Sequence, residues 1–486
     1  MIDSKIAKNA LVLMIATTGQ KLVAFITFTI VARIVGVKIT GDYFYAVSVT
    51  SIFVTFSDLG MTPVVIRAIA GGRQDADRLF GAAIHLKLIL IPIAVAASIA
   101  YGLFRGNSVE IITTISIACI AMAADAFHLI LYGALRGRQN LKPEAIGMFI
   151  GQTLTGIASI TAALIKLGPI GLAFALAIGS LWNVGWALYN INRFQIKFSR
   201  PTHFNLKLLS KETLPFAIAG ISVKVYSYID SLMLEFYKGT TAVGYYAVAY
   251  KLTYAMQFLP LTFTAALYPA LSAAYANKHQ DELKKTFLGS LRLMATISFP
   301  ISAGLSALAP GIITSIYGLK FAGSIPAMQV LPWVLLPIFM DFPVGALLNS
   351  SHRAHLKTIA MVVTMIINAL LNLILVPIYG PLGAAWAGVG SFWSLLAVGM
   401  ALTRIDVGGI MPILSILLRA SIAATISWLC WAFLDAHLPF IVAFSAGAAI
   451  SIILAFAVRL VMVQDIKPVW IGVKSKFFKQ EQVHES

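Results

Sequence analysis

Three lysines stand inside long apolar runs of the sequence: Lys21, Lys224 and Lys251. Holding an ammonium near the centre of a bilayer costs about 2.5–3.5 kcal/mol. Each amine therefore calls for a carboxylate to pair with or an oxyanion to bind, and ammonium groups in low dielectric attract such anions strongly. Lys21 and Lys224 are 203 residues apart, and Gln20, Tyr226 and Tyr228 beside them add hydrogen-bonding groups. Arg33 and Arg67 lie near the ends of apolar runs and extend this anion-binding set; Lys87 is similarly placed. The acids inside apolar runs are Asp58, Asp125, Asp230, Glu235 and Asp341. Asp58 and Asp230 read as counter-ions to buried cations or as carriers of a coupling proton or sodium ion. For Asp58 the preferred role is partner to Arg67 or a lysine. Asp230 follows Lys224 by six residues, about 240° around a helix, so the two do not face each other. Asp125 and His128, three residues apart, share a helix face.

The surrounding sequence explains why these charges matter. Of 486 residues, 59% are apolar and only 11% charged, and the mean hydropathy is +0.87. A water-soluble domain runs nearer 45–50% apolar with about a quarter of its residues charged. That excess excludes a cytosolic enzyme, a disordered chain and a disulfide scaffold. Cys119 and Cys430 both lie in apolar runs and read as buried thiols. No Gly-x-x-x-x-Gly-Lys-Ser/Thr loop and no His-Glu-x-x-His pair occur. The expected protein is not an enzyme and has no metal site and no cofactor beyond a coupling H+ or Na+.

A membrane-crossing helix needs about 20 mostly apolar residues. Fourteen such segments are expected: 9–34, 42–67, 80–104, 109–134, 144–166, 169–190, 212–237, 243–268, 287–309, 325–349, 356–378, 382–403, 411–434 and 438–462. The first begins too long, and with Gln20 and Lys21 too polar, to be a cleaved signal peptide. Lys and Arg concentrate in alternate connections. Arg73 and Arg78, Arg136 and Arg138, Arg193 to Lys211, Lys278 to Lys285, and Arg353 with Lys357 lie on one side. Lys5, Lys8 and the tail lysines Lys467 to Lys479 fall on that same side. By the positive-inside rule both termini are expected in the cytoplasm of a multi-pass inner-membrane protein. Topology also accounts for most of the net charge of +17, so nucleic acid need not be a partner.

The chain repeats itself. Gly41-Asp42-Tyr43-Phe44-Tyr45-Ala46-Val47 matches Gly244-Tyr245-Tyr246-Ala247-Val248-Ala249-Tyr250 at an offset of 203 residues. Leu167-Gly168-Pro169-Ile170-Gly171 matches Tyr379-Gly380-Pro381-Leu382-Gly383 at an offset of 212, and Gly133-Ala134-Leu135 matches Gly345-Ala346-Leu347 between them. Two six-span lobes, related by an axis along the membrane normal, are expected at 1–197 and 198–404. Spans thirteen and fourteen follow at 405–465, then a cytoplasmic tail at 466–486. Parallel repeats of this kind place a substrate path at their interface. Lys21 and Lys224 take equivalent positions in the two repeats.

With these features the chain resembles the polysaccharide transporters, Wzx-type oligosaccharide flippases, of the multidrug/oligosaccharidyl-lipid/polysaccharide exporter superfamily. The resemblance is carried by Asn9, Ala32-Arg33-Ile34-Val35-Gly36, Gly41-Asp42-Tyr43, Ser57-Asp58-Leu59-Gly60, Arg67, and Asn368 and Asn372 running into Pro377-Ile378-Tyr379-Gly380-Pro381. It implies a polyprenyl-pyrophosphate-linked oligosaccharide flipped outward by alternating access, for O-antigen or surface polysaccharide. It implies spans one, two, seven and eight around the cavity, and membrane lipids, a polysaccharide polymerase and other assembly proteins as partners of a monomer. An ion-coupled exporter of organic cations on the same fold would want an acidic cavity, against which the lysines speak. A lipid II flippase lies between the two readings. A membrane polymerase or ligase would need a larger external loop than the sequence provides.

Overall fold

The computed structural model describes residues 4–460 apart from 198, 200 and 201. The tail, Arg200 and the side chains of Lys5, Lys8 and Asn9 lie outside the described residues. The helices are α1 (Ser4–Asp58), α2 (Met61–Ala70), α3 (Ala76–Phe104), α4 (Val109–Gly137), α5 (Lys142–Leu164), α6 (Gly168–Arg193), α7 (His203–Lys238), α8 (Thr240–Ala255) and α9 (Phe258–Ala276). They continue as α10 (Gln280–Ala307), α11 (Ala309–Ile316), α12 (Ile325–Val330), α13 (Leu335–Ser350), α14 (Ala354–Tyr379), α15 (Pro381–Thr403), α16 (Met411–His437) and α17 (Phe440–Ala457). No strand occurs among the described residues. The protein is an all-α polytopic membrane protein.

Twelve helical segments among the described residues are long and apolar enough to cross a membrane. The expectation was fourteen, and the difference lies in two places. Spans one and two are joined in α1, where Gly36 (φ 81°, ψ −179°) turns the chain without interrupting the helix assignment. Span eight is divided at Met256 and Gln257 into α8 and α9. Span two is also broken, at Leu59 and Gly60, both at positive φ. Span ten is the most irregular: 3-10 turns at Leu319–Ser324 and Leu331–Val334 flank α12, and Pro332 and Pro337 remove backbone donors there.

One backbone feature recurs at the repeat offset. Gly239 joins α7 to α8 at φ 78°, ψ 172°, the conformation of Gly36, and the two glycines are 203 residues apart. Both torsions suit glycine, which lacks the Cβ that makes positive φ costly. The connections at Gly36 and Gly239 are therefore each a single bent residue rather than a loop.

By compactness the chain forms two units. The first comprises residues 1–262, 310–331 and 354–395. One apolar core of it packs α2, α3, α4, α6 and α7 around Leu79, Phe80, Tyr132, Leu135 and Leu209. A capping box between Thr202 and Asn205 starts α7, which then runs along this unit. The second unit comprises 263–309, 332–353 and 396–486. In it α10, α16 and α17 pack through small residues. Trp431 is buried against Gly447 and Gly304, and its indole donates to Ser451 Oγ at 3.0 Å. Trp431 is thus a packing residue.

Candidate functional site

All of the predicted site residues fall in the first unit, but they do not form one cluster. Lys251, on α8, is solvent-accessible despite its place in a span. It lines a cavity of about 180 Å³ together with residues of α1, α4, α5 and α6. Its ammonium stands 5.7 Å from the Phe28 ring centroid and 5.5 Å from that of Phe44. Lys224, on α7, is also exposed and stands 5.5 Å from the Tyr228 ring. Tyr228 lies in the field of both Lys224 and Lys251 and beside the Ser51 hydroxyl. These two amines therefore share one polar neighbourhood. Lys21, on α1, is half-buried. No contact between it and that pair is seen among the described residues. None of the three amines has an ion pair among the described residues.

Several other cations differ in this respect. Lys87, with no exposed surface, donates to Asp58 Oδ1 at 2.6 Å. Arg73 Nη1 meets Glu212 at 3.0 Å and Arg73 Nε meets Asp75 at 3.0 Å. Arg105 pairs with Glu235, Arg136 with Glu144, and Arg353 with Asp406. Arg67 and Arg33, expected with the lysines, are elsewhere. Arg67 lies 3.7 Å from Glu212 and over the Phe216 ring, with most of its side chain exposed. Arg33 donates to the carbonyls of Ser315 and Ile316 at 3.0 and 3.1 Å. Both guanidiniums already have acceptors at the ends of their spans.

The two acids have separate roles. Asp58 ends α1 at the break in span two and accepts from Lys87 and from Thr62 Oγ1 at 2.9 Å. It is the counter-ion of Lys87, not of Arg67. Asp230 is buried and accepts from Tyr246 Oη at 2.6 Å and Asn372 Nδ2 at 2.7 Å, with no cation beside it among the described residues. Asn372 also reaches Asn368 Oδ1 at 3.3 Å, and Asn368 donates to Ser391 at 3.2 Å. Asn372 Oδ1 is buried without a hydrogen-bond partner. His128 Nδ1 is 3.5 Å from Asp125 Oδ1.

The end of this unit that carries Gly36 and Gly239 is packed tight by the repeat itself. A Cβ on Gly41 would collide with the Thr240 carbonyl oxygen, and one on Gly244 with the Val37 carbonyl oxygen. Thr240 is the repeat equivalent of Val37, and Gly244 of Gly41. The contact is thus two-fold in kind: each half touches the other through the same residues. Beside it Arg105 and Asn107 from the α3–α4 connection hold Glu235 on α7 at 3.3 and 2.8 Å. Asn107 accepts from Tyr45 Oη at 3.1 Å.

Sequence reasoning missed Phe28 and Phe44, since phenylalanine is common in spans and carries no signal of its own. It quoted Asn368 and Asn372 without linking them to Asp230. Two amides four residues apart in an apolar helix share a face and were the available clue.

The family described as polysaccharide biosynthesis protein matches residues 6–275, and the MatE family matches residues 215–376. A probable low-salt glycan biosynthesis flippase, Agl15 of Haloferax volcanii, is 21% identical over 393 residues, covering 80% of this chain and 81% of that protein. A putative O-antigen transporter of Shigella dysenteriae is 25% identical over 355 residues, covering 68% and 86%. Among solved structures, the lipid II flippase MurJ in an inward closed conformation superposes with a TM-score of 0.72 at 17% identity, covering 94% of this chain and 99% of that one.

Proposed function

This chain belongs to the polysaccharide biosynthesis protein family, and from that premise we propose that it flips a polyprenyl-pyrophosphate-linked oligosaccharide across the cytoplasmic membrane by alternating access. The glycan would serve cell-surface polysaccharide or O-antigen assembly, and both termini face the cytoplasm. The observation that carries the reading is the contrast among cations. Lys87, Arg73, Arg105, Arg136 and Arg353 each have a carboxylate in direct contact, whereas Lys21, Lys224 and Lys251 have none within ion-pair distance among the described residues, Asp125 lying near Lys224 without touching it. Unpaired ammonium groups on spans are expensive unless an anionic ligand or open water receives them. A pyrophosphate head-group is such a ligand. Lys224, with Tyr228 beside it, takes that group, and Lys21 is its repeat equivalent. The lipid tail stays in the bilayer, and the glycan occupies the open space beside Lys251. Relatives named as flippases and transporters support transport rather than catalysis. A cavity whose charges are amines repels organic cations, so multidrug export is the weaker reading. Lipid II carries the same pyrophosphate, so cargo is separated from it only by the glycan.

Asp230 is the coupling residue of this proposal. A buried carboxylate with no cation, next to the unpartnered Oδ1 of Asn372, suits a sodium ion or a proton. Asp230, Asn368 and Asn372 would hold the ion; its binding supplies the bias between the two access states. The protein acts as a monomer alongside a polymerase and other assembly proteins.

The test is complementation of a flippase-deficient strain together with flipping of a fluorescent polyprenyl-pyrophosphate sugar in proteoliposomes. Lys224→Gln and Lys21→Gln should abolish both while protein levels persist. Full activity in the double variant removes the head-group site.

A further inference from the structure

We propose that the cavity beside Lys251 receives one sugar ring of the cargo, and that Lys251 takes an acidic substituent on that ring, so that the protein selects a glycan containing a carboxylate-bearing sugar. The inference rests on the flippase reading and gives Lys251 a task distinct from that of Lys224.

The cavity measures about 180 Å³, comparable to the engineered apolar cavity of roughly 150 Å³ that holds a benzene ring. That is room for one sugar ring. Lys251 is the one charged residue among those lining it. The remaining polar lining comes from Thr27, Thr40, Tyr43, Gln152, Thr155 and Ser159. Thr40 is satisfied by the carbonyl of Gly36 at 2.7 Å. Thr27, Gln152, Thr155 and Ser159 make no side-chain hydrogen bond among the described residues, although Thr27, Thr155 and Ser159 are buried. Hydroxyls that line a cavity without protein partners are held by water or by a ligand. Hydroxyls and a primary amide both donate and accept, which is what a ring of hydroxyl groups requires.

The apolar part of the lining suits the same ligand. Phe28 and Phe44 flank the ammonium and present apolar ring surface to the cavity. The rings hold the amine in place without neutralising it, so its charge remains for an anion. A sugar offers C–H faces to such rings, hydroxyls to Gln152 and Thr155, and a single carboxylate to the amine. A pyrophosphate offers more negative charge than one amine balances and nothing for the neutral hydroxyls to read. Both ligands are oxyanions, so the experiment must separate them.

The experiment is a titration of the full-length protein in nanodiscs with glucuronate, glucose and inorganic pyrophosphate, followed by ligand-observed NMR. Glucuronate is expected to bind about tenfold more tightly than glucose, the order of one charge-assisted hydrogen bond. Lys251→Gln should remove that advantage while pyrophosphate affinity stays within about twofold. Thr155→Val, which keeps the side-chain shape, and Gln152→Leu should weaken both sugars and leave pyrophosphate unchanged. Equal binding of glucose and glucuronate by the unaltered protein, or no sugar binding at all, overturns the proposal. So does a Lys251→Gln variant that loses pyrophosphate alone, which returns this lysine to the head-group. Flipping of lipid-linked neutral glycans as fast as acidic ones would remove this inference and leave the flippase reading intact. Sugar binding without any flipping would remove the flippase reading and leave the cavity.

Discussion

Replacing Asp58 with Asn should destabilise the protein through one named contact. Lys87 has no exposed surface, and its ammonium donates to Asp58 Oδ1 at 2.6 Å. At that separation the Coulomb attraction is about 6 kcal/mol with an effective dielectric of 20. Desolvation offsets part of this, and breaking one side of a buried pair typically costs about 3–5 kcal/mol. The Asp58 side chain keeps 23% exposure, which favours the low end, about 3 kcal/mol. Asparagine retains an oxygen for the Thr62 hydroxyl, so the loss isolates the charge. Thermal unfolding in detergent should show a clear fall in Tm for Asp58→Asn. The double variant Asp58→Asn with Lys87→Met should recover most of it, because no unpaired charge remains. An unchanged Tm in Asp58→Asn accompanied by lost transport would refute the reasoning and make Asp58 a coupling residue.

Three other outcomes follow from particular contacts. Gly41→Val or Gly244→Val should open the outer end, since the new Cβ collides with backbone carbonyls; overpacking of this kind costs about 1–3 kcal/mol, and cysteine labelling from the outer side should rise. Arg73, hydrogen-bonded to Asp75, holds that carboxyl below its ordinary range. The stability it contributes is fully present above the ordinary carboxylate pKa and is lost as pH falls through the lowered value. Asp75→Asn should therefore lower Tm modestly at neutral pH and flatten the acid limb of the Tm–pH curve. Asp230→Asn keeps the hydrogen-bonding shape around Tyr246 and Asn372 but removes the charge. It should abolish any dependence of flipping on Na+ or pH while head-group binding persists; unaltered ion dependence would remove Asp230 from coupling.

Much of the architecture was legible because the bilayer is a severe solvent. Apolar length located nearly every span, and Gly36 and Gly239 share one backbone conformation at the repeat offset. Hydropathy averages over about a turn or more of helix, so it could not see the breaks at Leu59-Gly60 and Met256-Gln257. Site residues were legible as types but not as groupings. Lys21, Lys224 and Lys251 stood out because amines are expensive in apolar runs. Their neighbours did not, because Asp58 meets Lys87 across 29 residues and Asp230 meets Asn372 across 142. Contacts between helices have no sequence period to reveal them. Arg33 and Arg67 misled for a related reason: a basic residue near a span end is readily satisfied by local carbonyls or a facing acid.

The affinity of the purified protein for polyprenyl pyrophosphate, measured with and without Lys224, bears most directly on the head-group site. A charge-assisted contact of about 1.5–3 kcal/mol corresponds to a loss of roughly tenfold to a hundredfold in Lys224→Gln. A Kd that does not move on removing that amine contradicts the site.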